Sequence, residues 1–182
     1  LALLEAGEEV VRLVDHRLLV ITPDRPGTFS RISGALALHG VEILGANLHT
    51  EGSWALQEVR LGGGIGLEEH PDRVTDDVKL ALRRRLAITA RLLRRASTYR
   101  YQRITTAQPA EPQVTVDNET SSTATVLEVR GPDSIGFLFR ITRAFIELDL
   151  NIVRAKVQIN FFQCCHLNCR RGLLSGHSNK RF

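Results

Sequence analysis

The chain contains one internal duplication, and this repeat constrains the possible fold more than any other feature of the sequence. Shifting the sequence by 109 residues aligns residues 23–46 with residues 132–155 without a gap, and eight of the 24 aligned positions are identical. Chance would give one or two identities. Because a repeat of this size corresponds to a supersecondary unit, we expect two copies of one fold packed together.

The predicted elements follow the same order in each copy of the repeat. A hydrophobic run comes first, at residues 16–22 and 123–130, and a Pro-Asp-x-x-Gly turn follows it. A helical pattern comes next, and Gly40 is a helix-stop signal in the first copy. A second strand then begins in both copies. Apolar residues at helical spacing predict one buried stripe on each helix: Phe29, Ile32 and Leu36, then Leu138, Ile141 and Phe145.

The first copy continues beyond the repeated segment. A tight turn at 51–53 predicts a hairpin, and a glycine-rich loop at 62–66 leads to further regular structure. The order βαββαβ predicts an α+β fold, in which two helices cover an antiparallel sheet as a ferredoxin-like sandwich. The remaining predicted elements of this copy are a third strand at 54–61, a long helix at 71–95, a linker at 104–112 and a closing strand at 113–118.

Composition excludes several classes of protein. Apolar residues make up 43% of the chain and charged residues 24%, which is typical of a folded protein and not of a disordered one. The longest aliphatic run, residues 18–21, is far too short for a membrane span, and no signal peptide is recognisable. We therefore expect a cytoplasmic protein. All three cysteines fall in the last nineteen residues, so no disulfide framework supports the body of the chain.

The net charge of +4 does not indicate a nucleic-acid partner. Residues 1–158 contain all 20 acidic residues and 20 of the 24 basic ones, so the excess belongs to the C-terminal tail. Nine basic residues and no acid lie between 78 and 103. We interpret this stretch as a solvated or packed helix face, because no base-reading motif accompanies it.

The turn Pro23-Asp24-Arg25-Pro26-Gly27, between a first strand and a first helix, resembles that of the ACT domain, a small amino-acid-sensing module of metabolic enzymes. The junction VTVDNETSSTATVLEVRGPDSIGFLFRITRAF, between two such modules, is similar to the C-terminal region of bacterial protein-PII uridylyltransferase/uridylyl-removing enzymes. The resemblance covers about residues 14–158. It implies tandem ACT domains, an amino-acid ligand with glutamine favoured, and catalytic domains in a longer parent chain.

The turn is also physically suited to an amino acid. Glycine allows close approach of the backbone, and the free N–H groups of a helix that begins at Thr28 favour a carboxylate. Asp24 could pair with the ammonium group, while Glu42 or Asn47 could contact a side chain. By the resemblance and the repeat, the candidate ligand-binding residues are Asp24, Arg25, Pro26, Gly27, Thr28, Glu42 and Asn47 in the first copy, and Asp133, Gly136 and Asn151 in the second.

The second copy departs from the pattern. Ile135 replaces the proline of the first turn, and the resemblance ends near Gln158. We expect no third strand, second helix or last strand from the final 24 residues, and hence an unpaired sheet edge. This tail has no acidic residue, which suggests a shifted reading frame, a draft-sequence error or added expression sequence. The expected organisation is a lead-in at 1–13, a first ACT domain at 14–118, a partial second at 119–158 and an atypical tail at 159–182.

Other motifs are weak. Cys164, Cys165, His166 and Cys169 lack the second ligand pair of a structural zinc site, so we expect no metal, and nothing implies another cofactor. The glycine-rich loop lacks the Gly-Lys-Ser/Thr ending of a phosphate-binding loop. The absence of methionine and the start at Leu1 suggest a fragment of a longer protein.

We therefore expect a non-catalytic regulatory region that senses an amino acid and controls nitrogen signalling. Two alternatives remain: a dimerisation or docking module that binds no effector and pairs through its sheet, or the regulatory end of an amino-acid biosynthetic enzyme.

Overall fold

The computed structural model describes residues 8–100, 111–132, 134–159 and 162–171. Five helices lie in these segments: α1 (Thr28–Leu38), α2 (Ile65–Glu69), α3 (Pro71–Leu82), α4 (Ile88–Arg100) and α5 (Phe137–Glu147). The strands are β1 (Val10–Val14), β2 (Arg17–Pro23), β3 (Ile43–Glu51), β4 (Trp54–Leu61), β5 (Gln113–Asp117), β6 (Thr125–Pro132), β7 (Leu150–Ile159) and β8 (Phe162–Arg171).

The strands form one antiparallel sheet in the order β1-β2-β4-β3-β7-β8-β6-β5. One face packs against the helices. Along β4, for example, Ala55, Gln57, Val59 and Leu61 are buried, whereas the alternate residues are more exposed. The predicted α+β, ferredoxin-like class is therefore confirmed. The helix beginning at Thr28 and the hairpin between β3 and β4 also lie where the sequence predicts them.

The two copies of the repeat meet at a pseudo-twofold axis. Ala46 of β3 pairs with Ala155 of β7, and these two residues are equivalent under the 109-residue shift. The same is true of Ser33 and Thr142, whose hydroxyl oxygens lie 3.4 Å apart between α1 and α5. The inner edge strand of each copy is thus paired with that of the other, which makes the sheet continuous.

The helices come unusually close together at Gly34. A Cβ atom on this residue would lie 2.6 Å from Cγ2 of Ile88 on α4 and 2.7 Å from Cδ2 of Phe139 on α5. Such distances are shorter than real Cβ contacts. The absence of a side chain at Gly34 therefore allows α1, α4 and α5 to pack into one core, which both copies share.

The prediction that residues 113–118 form the closing strand of the first copy was wrong about the partner of this strand. Residues 113–117 form β5, but β5 pairs with β6 at the outer edge of the second copy. The corresponding edge of the first copy is β1, from the expected lead-in, which pairs with β2 across a turn at Asp15 and His16. The β1–β2 hairpin closes through a two-residue turn, whereas a strand that follows α4 would have to return to β2 over a much longer loop. Closing the shorter loop loses less conformational entropy.

The predicted single helix over 71–95 is divided into α3 and α4. Arg84 adopts a left-handed φ of 58°, and the N–H of Arg85 donates to the carbonyl of Leu80 at 2.8 Å, which ends α3. The chain then turns, and Ile88 and Leu92 become buried against α1 and the second copy. In a continuous helix Leu93 would lie on the same face as Val78, Leu82 and Leu86, whereas here it is exposed.

The expectation that the tail supplies no third strand was also wrong. Residues 162–171 form β8, which pairs with both β6 and β7. Leu167 and Cys169 are buried two positions apart, as expected for a strand with one covered face. The unpaired edge expected at the second copy is therefore filled.

Within the described residues, none of the helices has the length and apolar character needed to cross a bilayer. The basic stretch after Val78 is engaged with neighbouring elements at several points. Arg83 pairs with Glu9 at 3.8 Å, Arg91 with Asp77 at 3.4 Å, and Arg95 donates to the carbonyl of Leu38.

Candidate functional site

A cavity of about 340 Å³ lies between the two copies of the repeat. This volume is near the lower end of the range for small-molecule sites, roughly 300–1,000 Å³. One wall is the turn at 24–27 and the first residues of α1. The opposite wall comes from the end of α5 and the start of β7, and includes Ile146, Asp149, Leu150, Asn151 and Ile152.

The turn is held in a defined conformation. The N–H of Asp24 donates to the carbonyl of Ser53 at 2.8 Å, which ties the turn to the β3–β4 hairpin. The hydroxyl of Thr28 donates to the carbonyl of Arg25 at 2.7 Å. Gly27 precedes the helix with a left-handed φ of 82°, and a Cβ there would lie 2.7 Å from Cδ1 of Ile146. The conformation favours glycine, and any Cβ here would also displace the terminal methyl group of Ile146.

The start of α1 faces the cavity with unpaired donors. No side chain caps this helix, and within the described segments the N–H groups of Phe29 and Ser30 have no hydrogen-bond acceptor. Such groups carry the positive end of the helix dipole. They form a suitable binding place for a carboxylate.

Two arginines add positive charge at the same place. Arg25 lines the cavity, and Arg31 lies one turn into α1, beside Gly27. Burial lowers the pKa of Arg31, and the nearby charges of Arg84 and Arg25 lower this pKa further. Neither Arg25 nor Arg31 forms an ion pair with an acidic residue of the described chain. A bound anion would offset this like-charge repulsion.

The rim of the cavity also has negative and neutral polar groups. Asp24 is exposed and accepts a long hydrogen bond, 3.5 Å, from the hydroxyl of Thr50. Asp149 and Asn151 are exposed on the opposite side, and Asp149 adopts a left-handed φ of 54°. The rim therefore combines an anion-binding helix terminus with carboxylates that can receive a cation. This combination is complementary to the zwitterionic end of an amino acid.

The floor of the cavity combines apolar residues with two buried polar ones, Gln57 and Thr142. Gln57 is 4% exposed, and its Oε1 is fully buried without a hydrogen-bond partner among the described residues. Its neighbours on the floor include Ile152 and Leu48. The sequence does contain a signal for this residue, because Gln57 has the same strand phase as Ala55, Val59 and Leu61. We did not predict it as a site residue.

The equivalent place beside the second turn is occupied by α4. Gly136 has a left-handed φ of 73°, close to that of Gly27, but a Cβ there would lie 3.0 Å from Cδ1 of Leu92. Arg140, the repeat equivalent of Arg31, donates to the turn itself, to Ser134 at 2.7 Å and Ile135 at 2.9 Å. The second turn is thus covered by Leu92 and held by Arg140, whereas the first faces the cavity.

The predicted site residues are therefore distributed unequally. The structure brings Asn151 of the second copy together with five residues of the first: Asp24, Arg25, Pro26, Gly27 and Thr28. Glu42 lies beside Gly62, and Asn47 is exposed on β3 opposite Arg154, so neither lines this cavity. Gly136 lies against α4, and Asp133 falls outside the described residues.

The candidate metal ligands are in or near β8. Cys164, Cys165 and His166 belong to this strand, and Cys169 is buried with its thiol 3.5 Å from the carbonyl of Thr125. Burial raises the pKa of the Cys169 thiol. The side chains of Cys164, Cys165 and His166 lie outside the described part of the structure, and among the side chains that it describes no three potential ligands cluster in a way that could hold a metal ion.

Comparison with known proteins identifies the module that carries the turn and the first helix. The model of the ACT domain matches residues 16–65. These residues form an ACT domain. The match includes the turn, α1 and the β3–β4 hairpin, and thus one wall and the floor of the cavity.

Relatives of known description cover more of the chain. It is 36% identical over 145 residues to a bifunctional uridylyltransferase/uridylyl-removing enzyme of Rhodospirillum rubrum, 33% over 147 residues to that of Streptomyces coelicolor, and 37% over 145 residues to that of Gluconobacter oxydans. Each alignment covers 77% of the chain but only 15–17% of the relative. The chain thus resembles one segment of these bifunctional enzymes.

A solved structure described as a putative glycine cleavage system transcriptional repressor aligns with 86% of this chain and 79% of its own. The identity is 16% and the TM-score 0.27, so this likeness is too distant to support an argument.

Proposed function

We propose that this chain is an amino-acid-sensing regulatory region, with glutamine as the favoured ligand, and that it controls a larger uridylyltransferase/uridylyl-removing enzyme. The single observation that carries the proposal is the cavity between the two copies, which is built on the predicted Asp24–Thr28 turn. The uridylyltransferase chemistry of the relatives would reside in other domains of the parent protein. This region itself would be non-catalytic and cytoplasmic.

The arrangement of charges supports the orientation of the ligand. The α-carboxylate would accept hydrogen bonds from the N–H groups of Phe29 and Ser30, near the positive charge of Arg25 and Arg31. The ammonium group would lie towards Asp24, and the side chain would extend to the buried floor.

The position of the cavity supports a regulatory mechanism. Its walls belong to different copies of the repeat, so a ligand would contact both and favour the arrangement in which they are closely packed. A ligand can shift a conformational equilibrium only through different affinities for the two states. Binding at an interface between modules meets this requirement, because separation of the modules would divide the site.

Calorimetric titration of the 182-residue chain tests the proposal, with glutamine as ligand and glutamate and leucine as comparisons. We expect saturable binding of glutamine to the wild-type chain. Asp24→Asn should weaken binding about 10-fold or more, because a hydrogen bond to a charged group contributes about 1.5–3 kcal/mol. Glu42→Gln is the matched control, since it removes an exposed carboxylate outside the cavity. No binding of any amino acid to the folded chain would refute the proposal.

The docking alternative has one observation in its favour. The outer edge strand β5 exposes Val114 and Val116, at 63% and 58%. However, the inner edges of the two copies are already paired within the chain, through β3 and β7. A docking module would give no heat with amino acids and would form concentration-dependent dimers in sedimentation experiments.

A further inference from the structure

The buried carboxamide of Gln57 is the most unusual polar group in the described core. It projects from β4 into the layer between sheet and helices, where Ala55, Val59 and Leu61 have the same strand phase. A buried amide oxygen without a partner is unfavourable, because the water that it loses on folding is not replaced. In the wall of a cavity, a bound ligand can supply the missing partner.

The surroundings of Gln57 limit what that partner can be. The other buried polar residues of the described chain are the threonines and serines Thr22, Thr28, Ser30, Ser33 and Thr142, and none of the buried residues is charged. The hydroxyl of Thr142, which also lines the cavity, already donates to the carbonyls of Leu138 and Phe139 at 2.9 and 3.0 Å. A charged ligand group on this floor would therefore have no countercharge.

The two functions of a carboxamide then determine the preferred ligand. Gln57 carries one acceptor oxygen and one donor NH₂ group, and rotation about its terminal bond can present either to the cavity. A ligand side chain that ends in an amide can satisfy both, whereas a carboxylate is acceptor-only and an apolar group satisfies neither. The apolar neighbours Leu48 and Ile152 suit a methylene stem.

We infer that Gln57 determines the specificity of the site, and selects a neutral side-chain amide over a carboxylate or an apolar group. This inference rests on the amino-acid site proposed above and adds the residue that distinguishes among amino acids. The helix terminus and Asp24 would bind the groups that all amino acids share. Gln57 would contact the side-chain group in which amino acids differ.

Titration of the wild-type chain and of Gln57→Leu with three amino acids tests the inference. Glutamine carries the amide, glutamate the carboxylate, and methionine is an unbranched apolar analogue of similar size. We expect the wild type to bind glutamine at least 10-fold more tightly than either of the others. In Gln57→Leu, the affinity for glutamine should fall about 10- to 100-fold, because the amide of the ligand would then lie against leucine without a hydrogen-bond partner. The affinity for methionine should stay within about threefold of the wild-type value. Gln113→Leu, on the exposed edge strand β5, is the matched control and should change neither affinity.

The stability of the unliganded variant provides an independent measurement. Leucine has a similar volume and no polar atom, so Gln57→Leu should melt a few degrees above the wild type, roughly 2–6 °C. Ligand binding would then raise the melting temperature less in the variant than in the wild type. This pattern of higher intrinsic stability with weaker binding is not expected of a residue that serves only packing.

Each result bears on the inference. Unchanged glutamine affinity in Gln57→Leu would overturn the role of Gln57 and leave the amino-acid site intact. Equal binding of glutamine and methionine by the wild type would overturn it without any variant, even if Gln57→Leu did not fold. No binding of any amino acid to the wild-type chain would overturn both this inference and the proposed function.

Discussion

Replacement of Gly34 by alanine is the sharpest test of how the two copies are held together. Gly34 lies within α1, where alanine is intrinsically the better helix former by about 1 kcal/mol. Helix propensity alone therefore predicts that Gly34→Ala stabilises the protein. The packing predicts the opposite, because the new methyl group would lie 2.6 Å from Ile88 and 2.7 Å from Phe139.

The magnitude follows from which atoms would have to move. Cγ2 of Ile88 is bonded directly to the Cβ of that residue, and Cδ2 of Phe139 is part of a rigid ring, so neither is the end of a flexible side chain. Overpacking of a core costs about 1–3 kcal/mol, and two obstacles on different helices place this site near the upper limit. After subtracting the gain in helix propensity, we expect the free energy of unfolding to decrease by about 2 kcal/mol. For a chain of this size, that corresponds to a decrease of about 4–8 °C in melting temperature.

Thermal denaturation followed by circular dichroism measures the effect. Gly63→Ala is the control, because Gly63 has no close neighbour except the end of the Glu68 side chain at 3.5 Å. That variant should melt within about 2 °C of the wild type. Adding Ile88→Ala to Gly34→Ala should show a favourable coupling of at least 0.5 kcal/mol. If Gly34→Ala melts at or above the wild-type temperature, the reasoning about the three-helix contact is wrong.

Two further predictions concern the turns and the buried thiol. Gly27→Ala and Gly136→Ala should each lose about 1–2 kcal/mol of stability in denaturant titrations, because both glycines have left-handed backbone angles. In calorimetric titrations only Gly27→Ala should also weaken glutamine binding, so equal losses of affinity would contradict the assignment of one open site. Burial raises the pKa of Cys169 in the folded state, so the unfolded thiol ionises first as the pH passes its ordinary value of 9.0. The free energy of unfolding should therefore fall more steeply in the wild type than in Cys169→Ala between pH 8 and 10, and parallel pH profiles would refute this.

Much of the fold was predictable because the repeat is local and strongly patterned. The turn, α1 and the β3–β4 hairpin depend on nearby glycine, proline and apolar positions, and the structure has them where the sequence predicts them. The 109-residue shift also relates the pairs that meet across the copies, such as Ala46 with Ala155. The turn, α1 and the hairpin need no knowledge of distant contacts.

The errors occurred where distant contacts decide the structure. Residues 113–117 have strand character in any context, but the partner of β5 is determined by which edge is available. The division between α3 and α4 lies in a run of arginines without glycine or proline, and is stabilised by packing of Ile88 and Leu92. A sequence pattern shows neither which sheet edge is available nor how Ile88 and Leu92 pack.

The cavity was predictable only in part, for a similar reason. The turn from Asp24 to Thr28 has a recognisable motif, and the repeat extends it to the second copy. Which of the two turns remains open depends on Leu92, whose position follows from the direction of α4. Gln57 was identifiable as a polar residue in an apolar strand phase, but its unpaired oxygen is visible only once its neighbours are known.

The pseudo-twofold axis has a consequence for how such a site can diversify. In a homodimer of identical subunits, every substitution would change both symmetry-related sites at once, and pairing would weaken on dilution. Here the two halves belong to one polypeptide, so the β3–β7 pairing benefits from a high effective concentration at any dilution. Each half can also accumulate its own substitutions, and here one turn packs against a helix while the other lines an open cavity.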